Sequence, residues 1–142
     1  MPKAFKNILI GSTLTEGSDE IVQAALALAR STGATPHLVH IMPPLPVQTR
    51  LPAEYRTGAE ETWFEECKQE LNDRLTAQAR RTGLIGEGPS GVLHFEIGTP
   101  HRVLETLAST LQADLIVVGA TERSRHVLGL GSTADRIIRK AP

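Results

Sequence analysis

The stretch from Asp114 to Arg139, DLIVVGATERSRHVLGLGSTADRIIR, constrains the chain more than any other. Leu115, Ile116, Val117 and Val118 form an unbroken aliphatic run, which suits a parallel strand covered on both faces, where no side chain has to meet water. A turn must follow. Gly119 permits it, and Gly129 and Gly131 allow a close approach of backbone to a ligand because they carry no Cβ. Ser132 or Thr133 can cap a helix running through Ile137 and Ile138. Free N–H groups and the positive end of a helix dipole would then converge just beyond a strand, the outline of an anion site.

The local charge agrees with that outline. Between Glu122 and Lys140 stand five bases (Arg123, Arg125, Arg136, Arg139, Lys140) and two acids (Glu122, Asp135), in a chain whose formal net charge is −1. A local basic excess in a near-neutral protein suits a small anionic partner such as phosphate. The competing reading is a solvated loop and a cationic helix C-terminus, where Arg139 and Lys140 favour the dipole in any case. The overall balance gives no reason to expect nucleic acid or an anionic membrane as partner. One cysteine, Cys67, excludes an internal disulfide. No apolar run reaches the roughly 18 residues of a membrane span, and MPKAFKNILIG lacks the core of a signal peptide. The expectation is a single cytoplasmic domain over residues 1–142, without membrane insertion.

Strands and helices alternate along the chain. Phe5 to Gly11 reads as a buried strand, and a helix capped by Ser18 or Asp19 follows, with Ile21, Ala24, Ala25, Leu28 and Ala29 at helical spacing and Gly33 at its end. His37 to Met42 is a second strand, stopped by Pro43, Pro44 and Pro46. The segment from Met42 to about Thr57 is the best candidate for a lid or partner loop. A long amphipathic helix is expected over Glu60 to Arg81, with Trp63 or Phe64, Cys67, Leu71, Leu75 and Ala79 on its apolar stripe, which makes Cys67 a core thiol. Val92 to Ile97 alternates, with Leu93, Phe95 and Ile97 on one face and His94 and Glu96 on the other, as an edge strand does. Thr99 and Pro100 open a helix whose stripe is Val103, Leu104, Leu107, Ala108 and Leu111. This β-α-β-α-β-α-β-α order predicts an α/β fold with a doubly wound, Rossmann-like parallel sheet, which binds ligands beyond the carboxyl ends of its strands where the winding reverses.

With these elements placed, the chain resembles the universal stress protein family of adenine-nucleotide-binding-like domains. The residues that carry the resemblance are Lys6-Asn7-Ile8-Leu9-Ile10, the His37 to Ile41 strand, Gly98-Thr99-Pro100, Ala113-Asp114-Leu115-Ile116-Val117-Val118-Gly119 and Gly131-Ser132. The resemblance implies the strand order 3-2-1-4-5. It also implies that a fifth strand, often the dimer contact, should follow the last helix; this chain ends at Ala141-Pro142, so the expected order is 3-2-1-4, with a homodimer or a larger protein covering the fourth strand.

By the same resemblance the ligand is ATP or AMP, with Mg expected only beside ATP. The expected nucleotide-binding residues are Gly11, Ser12 and Thr13, Val39 and His40, and Gly119, Ala120, Thr121, Arg123, Arg125, Gly129, Gly131, Ser132 and Thr133, with backbone amides between Gly119 and Thr133 holding the ligand, Thr13 near the ribose, Val39 and His40 near the adenine, and Arg123, Arg125 and Ser132 near the phosphates. ATP-binding members carry a glycine, two residues, a second glycine, nine residues, then Gly-Ser or Gly-Thr. Here Glu122 takes the second glycine's place and eight residues separate it from Gly131. Thr13 stands where such members hold an aspartate, an exchange of carboxylate for hydroxyl that costs roughly 1.5–3 kcal/mol, about ten- to a hundredfold in affinity. The alternative is a nucleotide-free dimeric interaction module of the same family.

Other chemistries fit poorly. The histidines His37, His40, His94, His101 and His126 have no ligand spacing for a metal, and Gly-Leu-Gly-Ser-Thr is not a nucleophile elbow. A flavin would need flanking aromatics, and the chain has one Trp and one Tyr. A receiver domain would need acidic residues where Ser12-Thr13 and Gly98 stand. No catalytic base is evident, so the expectation is a protein that is not an enzyme.

Overall fold

The computed structural model describes residues 5–15, 17–44, 58–86 and 91–119, with side chains of the second helix described from Thr62 onward. The order is β1 (Asn7–Ser12), α1 (Ser18–Thr32), β2 (Thr35–Met42), α2 (Gly58–Thr82), β3 (Val92–Ile97), α3 (Pro100–Leu111) and β4 (Leu115–Val117). The described strands form one parallel sheet in the order β3-β2-β1-β4, as the alternating pattern and the resemblance predict. The segment expected to follow β4, and the Pro43 to Thr57 loop beyond Pro44, lie outside the described residues.

Each face of the sheet has its own apolar layer. Ile8, Ile10 and Leu38 pack with Val22, Ala25, Leu26 and Ala29 of α1 and with Leu75 and Ala79 of α2. On the opposite face Leu9 and Val39 pack with Leu104, Leu107, Ala108 and Leu111 of α3. Ile8, Leu9 and Ile10 are all fully buried, which explains why β1 reads as a continuous apolar run and not as an alternating one.

The strand ends are tied down. The Asp114 carboxylate accepts from the Lys6 and Asn7 amides at 2.7 and 3.1 Å, while its own amide donates to the Asn7 carbonyl at 2.8 Å. Lys6 also accepts from the Thr35 amide at 2.8 Å, which extends β2 two residues upstream of the expected His37 start. At the far end of α1, Gly33 takes φ 76° and its N–H bonds to Ala29, the left-handed stop that a glycine there predicts.

Three expectations change. The buried stripe of α1 is Val22, Ala25, Leu26 and Ala29, so that Ala24 is exposed and Ile21 and Leu28 are half-buried: the helix is turned slightly from the face its spacing predicts. Ser18 is the first helical residue of α1 and not its cap; Gly17 takes the cap position, because the Ser18 hydroxyl turns inward and donates to the Thr15 carbonyl at 2.8 Å. Cys67 is half-buried, not a core thiol. Burial along α2 is complete only from Leu75, while Trp63 stays 56% exposed, so the stripe spacing is right but only its C-terminal part is sealed against the sheet.

Candidate functional site

The winding of the sheet reverses between β1 and β4: α1 and α2 lie on one face and α3 on the other. The Ile8↔Leu115, Leu9↔Ile116 and Ile10↔Val117 register, carried forward, sets Ser12 beside Gly119. Both loops predicted to hold a ligand therefore leave the sheet side by side. Gly11 and Gly119 keep this rim narrow. A Cβ on Gly11 would meet Val118 Cγ1 at 3.3 Å and Leu104 Cδ1 at 3.7 Å, and one on Gly119 would run into Ile21 Cδ1.

The residues expected at the rim differ in what they can offer. Ser12 is 7% exposed, and its hydroxyl is engaged inward, donating to Gln78 Oε1 at 2.5 Å and accepting from the Leu14 amide at 3.1 Å. Thr13 is exposed, with its Oγ1 2.8 Å from that of Thr15, so this hydroxyl pair can turn toward a ligand. Val39 is fully buried in the α3-side layer. His40 lies on the other face, tilted against Phe95 with ring centroids 5.8 Å apart.

Its Nδ1 stands 2.9 Å from the Ser12 carbonyl. A carbonyl only accepts, so Nδ1 carries the proton and a neutral ring presents its Nε2 lone pair. Burial lowers the His40 pKa below its ordinary value, with the Ser12 bond opposing and nearby Arg74 reinforcing that shift. Ala120, Thr121, Arg123, Arg125, Gly129, Gly131, Ser132 and Thr133 lie outside the described residues.

A buried amide organises the described half of the rim. Gln78, 1% exposed, accepts from Ser12 and donates through Nε2 to Ser18 Oγ at 2.7 Å and Asp19 Oδ1 at 2.9 Å. Arg81 grips the same carboxylate through Nε at 2.7 Å and a terminal nitrogen at 2.8 Å, and Arg74 donates to the Leu14 carbonyl at 3.1 Å. These bonds hold the turn in which Leu14 takes φ 60°, a costly value for a non-glycine residue.

The Arg81 bond, then the Gln78 bond, lower the Asp19 pKa to about 2 against the opposing effect of desolvation. That contribution to stability is present above the unfolded value of 3.8 and fades as pH falls toward about 2; solvent screening keeps it small. A groove of about 370 Å³ runs over the network between α1 and α2. No expectation drawn from the sequence covers this network, yet its signal is there: Gln78 lies between Leu75 and Ala79, a polar residue inside the apolar stripe of α2.

At the opposite rim a second polar cluster forms on the α3 face. His37 Nδ1 is 3.0 Å from His94 Nε2, and His37 Nε2 is 3.1 Å from Asn7 Oδ1, with the two rings stacked. A consistent assignment has neutral His94 donating to His37, which donates to Asn7. Burial lowers both pKa values; for His37 the neighbouring His94 lowers it further, and for His94 nearby Glu96 opposes the shift. Among the described residues no cluster of His, Cys, Asp or Glu could hold a metal ion, and no helix is long and apolar enough to cross a membrane.

A doubly wound domain with adjoining loops at its switch point belongs to a broad class of open-sheet α/β proteins. The comparisons narrow that class. The model of the universal stress protein family matches residues 4–142, so the chain belongs to that family. Universal stress protein G of Salmonella typhimurium (strain LT2) is 30% identical over 128 residues, covering 89% of this chain and 84% of the relative. The Escherichia coli O157:H7 protein of the same name is 31% identical with the same coverage. Among solved structures, universal stress protein UspA from Lactobacillus plantarum superposes with a TM-score of 0.73 at 20% identity, covering 99% of this chain and 94% of its own. A universal stress protein in complex with cAMP superposes with a TM-score of 0.57 at 22% identity, covering 97% and 91%.

Two measurements test the polar clusters. Gln78→Met keeps the volume but strands Ser12 and Ser18, and urea unfolding should show a loss of about 1–3 kcal/mol; an unchanged midpoint would mean the network carries no stability. The lowered pKa values of His37, His40 and His94 leave the native state neutral while the unfolded chain takes up protons below the ordinary value of 6.5. Their contribution is therefore present above about pH 6.5 and lost below it, so the urea midpoint should fall between about pH 7 and pH 5, and less steeply in His94→Gln.

Proposed function

We propose that this chain is a regulatory domain that binds an adenine nucleotide, ATP or AMP, at the carboxyl edge of the sheet between β1 and β4. The observation that carries the reading is the side-by-side exit of the Ser12 and Gly119 loops at the switch point. A structural relative solved with cAMP supports the ligand class. The described rim fits a nucleoside: the paired Thr13 and Thr15 hydroxyls can meet ribose oxygens, and neutral His40 lies beneath the β1 end. Ser12 acts indirectly, holding the turn through Gln78, because its hydroxyl is already engaged.

The phosphates fall to the Gly129 to Thr133 amides with Arg123 and Arg125, residues that the sequence places directly after β4. Mg would accompany ATP and neutralise part of its charge. No general base or nucleophile is assigned, and the domain acts by binding, in the cytoplasm, with a second protein or copy reading its state.

Isothermal titration with ATP, AMP and cAMP tests the proposal. Saturable heat is expected with at least one of them, lost in Gly131→Asp. Thr13→Asp, which supplies the missing carboxylate acceptor, should tighten binding by about ten- to a hundredfold. No heat with any ligand at millimolar concentration would leave the nucleotide-free interaction module as the reading.

A further inference from the structure

The helix α2 is longer than the sheet it packs on. Its 25 residues span about 37 Å, and the 8 residues of β2, the longest strand, about 26 Å. The excess lies at one end. Leu84, just past the helix, accepts from the Gly91 amide at the amino edge of the sheet, while Gln78 already reaches Ser12, the last residue of β1. The turns well before Gln78 therefore run out past the carboxyl ends of the strands.

Those turns keep an apolar stripe that the sheet does not use. Phe64, Cys67 and Leu71 share one face and are each half-buried, but neither Phe64 nor Leu71 is among the side chains packed with either apolar layer. Trp63 stands beside them, 56% exposed, the most exposed large hydrophobic among the described residues. An indole is a large apolar body, and it is among the side chains that most often anchor an interface.

Acidic charge borders the stripe. Between Thr62 and Asp73 stand four acids (Glu65, Glu66, Glu70, Asp73) and one base (Lys68), a net of −3 in a chain of net −1. Glu66 and Glu70, three and seven residues after Trp63, lie on its side of the helix. Both are exposed, and neither is paired to a base among the described residues. The next base, Arg74, is committed to the Leu14 carbonyl.

We propose that this overhanging half of α2 is a docking surface for a basic amphipathic helix of another protein. Apolar side chains of the partner cover Trp63, Phe64 and Leu71, and its lysines or arginines meet Glu66 and Glu70. Charge decides the occupant. A second copy would bring like charge against like, and an anionic membrane would be repelled for the same reason. A cationic side chain is attracted both by the carboxylates and by the face of the indole. The spacing of Phe64, Cys67 and Leu71 presents the ridge that another helix packs against. From Trp63 to Leu71 the strip runs about 12 Å, a small contact of the kind that forms and breaks readily.

This surface gives the chemistry of the second protein in the functional reading above, but docking itself needs no nucleotide. The test is therefore run on the whole chain without one, and its outcome is separate from that of the titrations. The probe is a synthetic amphipathic helix of leucine and lysine that carries no tryptophan. Trp63 is the chain's one tryptophan, so its emission reports the surface directly. Emission should start at the long wavelength of a wet indole and move to the blue as the peptide saturates. The same peptide with glutamate for lysine should leave it unchanged.

Anisotropy of the labelled lysine peptide gives the affinity. Trp63→Ala, and Glu66→Lys with Glu70→Lys, should each weaken binding at least about tenfold while the circular dichroism spectrum stays the same. Glu20→Lys with Glu96→Lys, a reversal of exposed acids on other elements, should not. Emission already blue in the free chain, as when another segment of it covers Trp63, would overturn the proposal. So would no shift with the lysine peptide, a shift with protein concentration alone or with phosphatidylglycerol vesicles, an affinity indifferent to Trp63→Ala, or an equal loss in both charge-reversed pairs.

Discussion

Burial of β1 on both faces is the constraint from which the rest of the architecture follows. Ile8, Leu9 and Ile10 are fully buried, so the strand can exist only where helices cover it from both sides and strands flank it on both edges. At roughly 1.5–3 kcal/mol for each large aliphatic side chain removed from water, these contacts outweigh any single polar bond described above. Leaving the strand on one face toward α1 and returning from α3 on the other creates the switch point, and with it the rim.

The two ends of β1 are held by different chemistry. At its start, the Asp114 carboxylate clamps consecutive amides and ties the β4 approach to the chain entrance. At its end, Gln78 reaches from α2 to bind Ser12, Ser18 and Asp19 together. A buried amide with both its oxygen and its nitrogen satisfied fixes one arrangement of the turn, because any other leaves polar groups stranded in an apolar interior. The turn's position at the carboxyl rim of the sheet is thus set by a helix that contributes none of the residues proposed to meet a nucleotide.

Long-range order was legible in the sequence where one physical demand dominated. The unbroken aliphatic run of β1 and the alternation of Val92 to Ile97 report a central and an edge position directly, because sheet burial dictates those patterns, whereas the equally unbroken run of β4 stands at the other end of the described sheet and is only half-buried there. Gly33 marked its helix stop for the same kind of local reason. Features that depend on which side chain meets which were not legible. Ser18 carried every sign of a helix cap, but a partner 60 residues away along the chain claimed its hydroxyl. Cys67 had the spacing of a core residue on a helix whose first half the sheet does not fully cover. Within the expected site, the inward commitment of Ser12 and the burial of Val39 follow from packing that no spacing encodes.

If the rim works as proposed, binding should be felt in the loops that meet at the switch point and hardly at all in the sheet that carries them. Hydrogen–deuterium exchange of the whole chain with and without saturating ATP measures this directly. The account predicts new amide protection from Gly11 to Thr15 and from Gly119 to Thr133, with α3 and the His37 end of the sheet unchanged. Protection confined to other segments, or none in a sample that demonstrably binds the nucleotide, would contradict it.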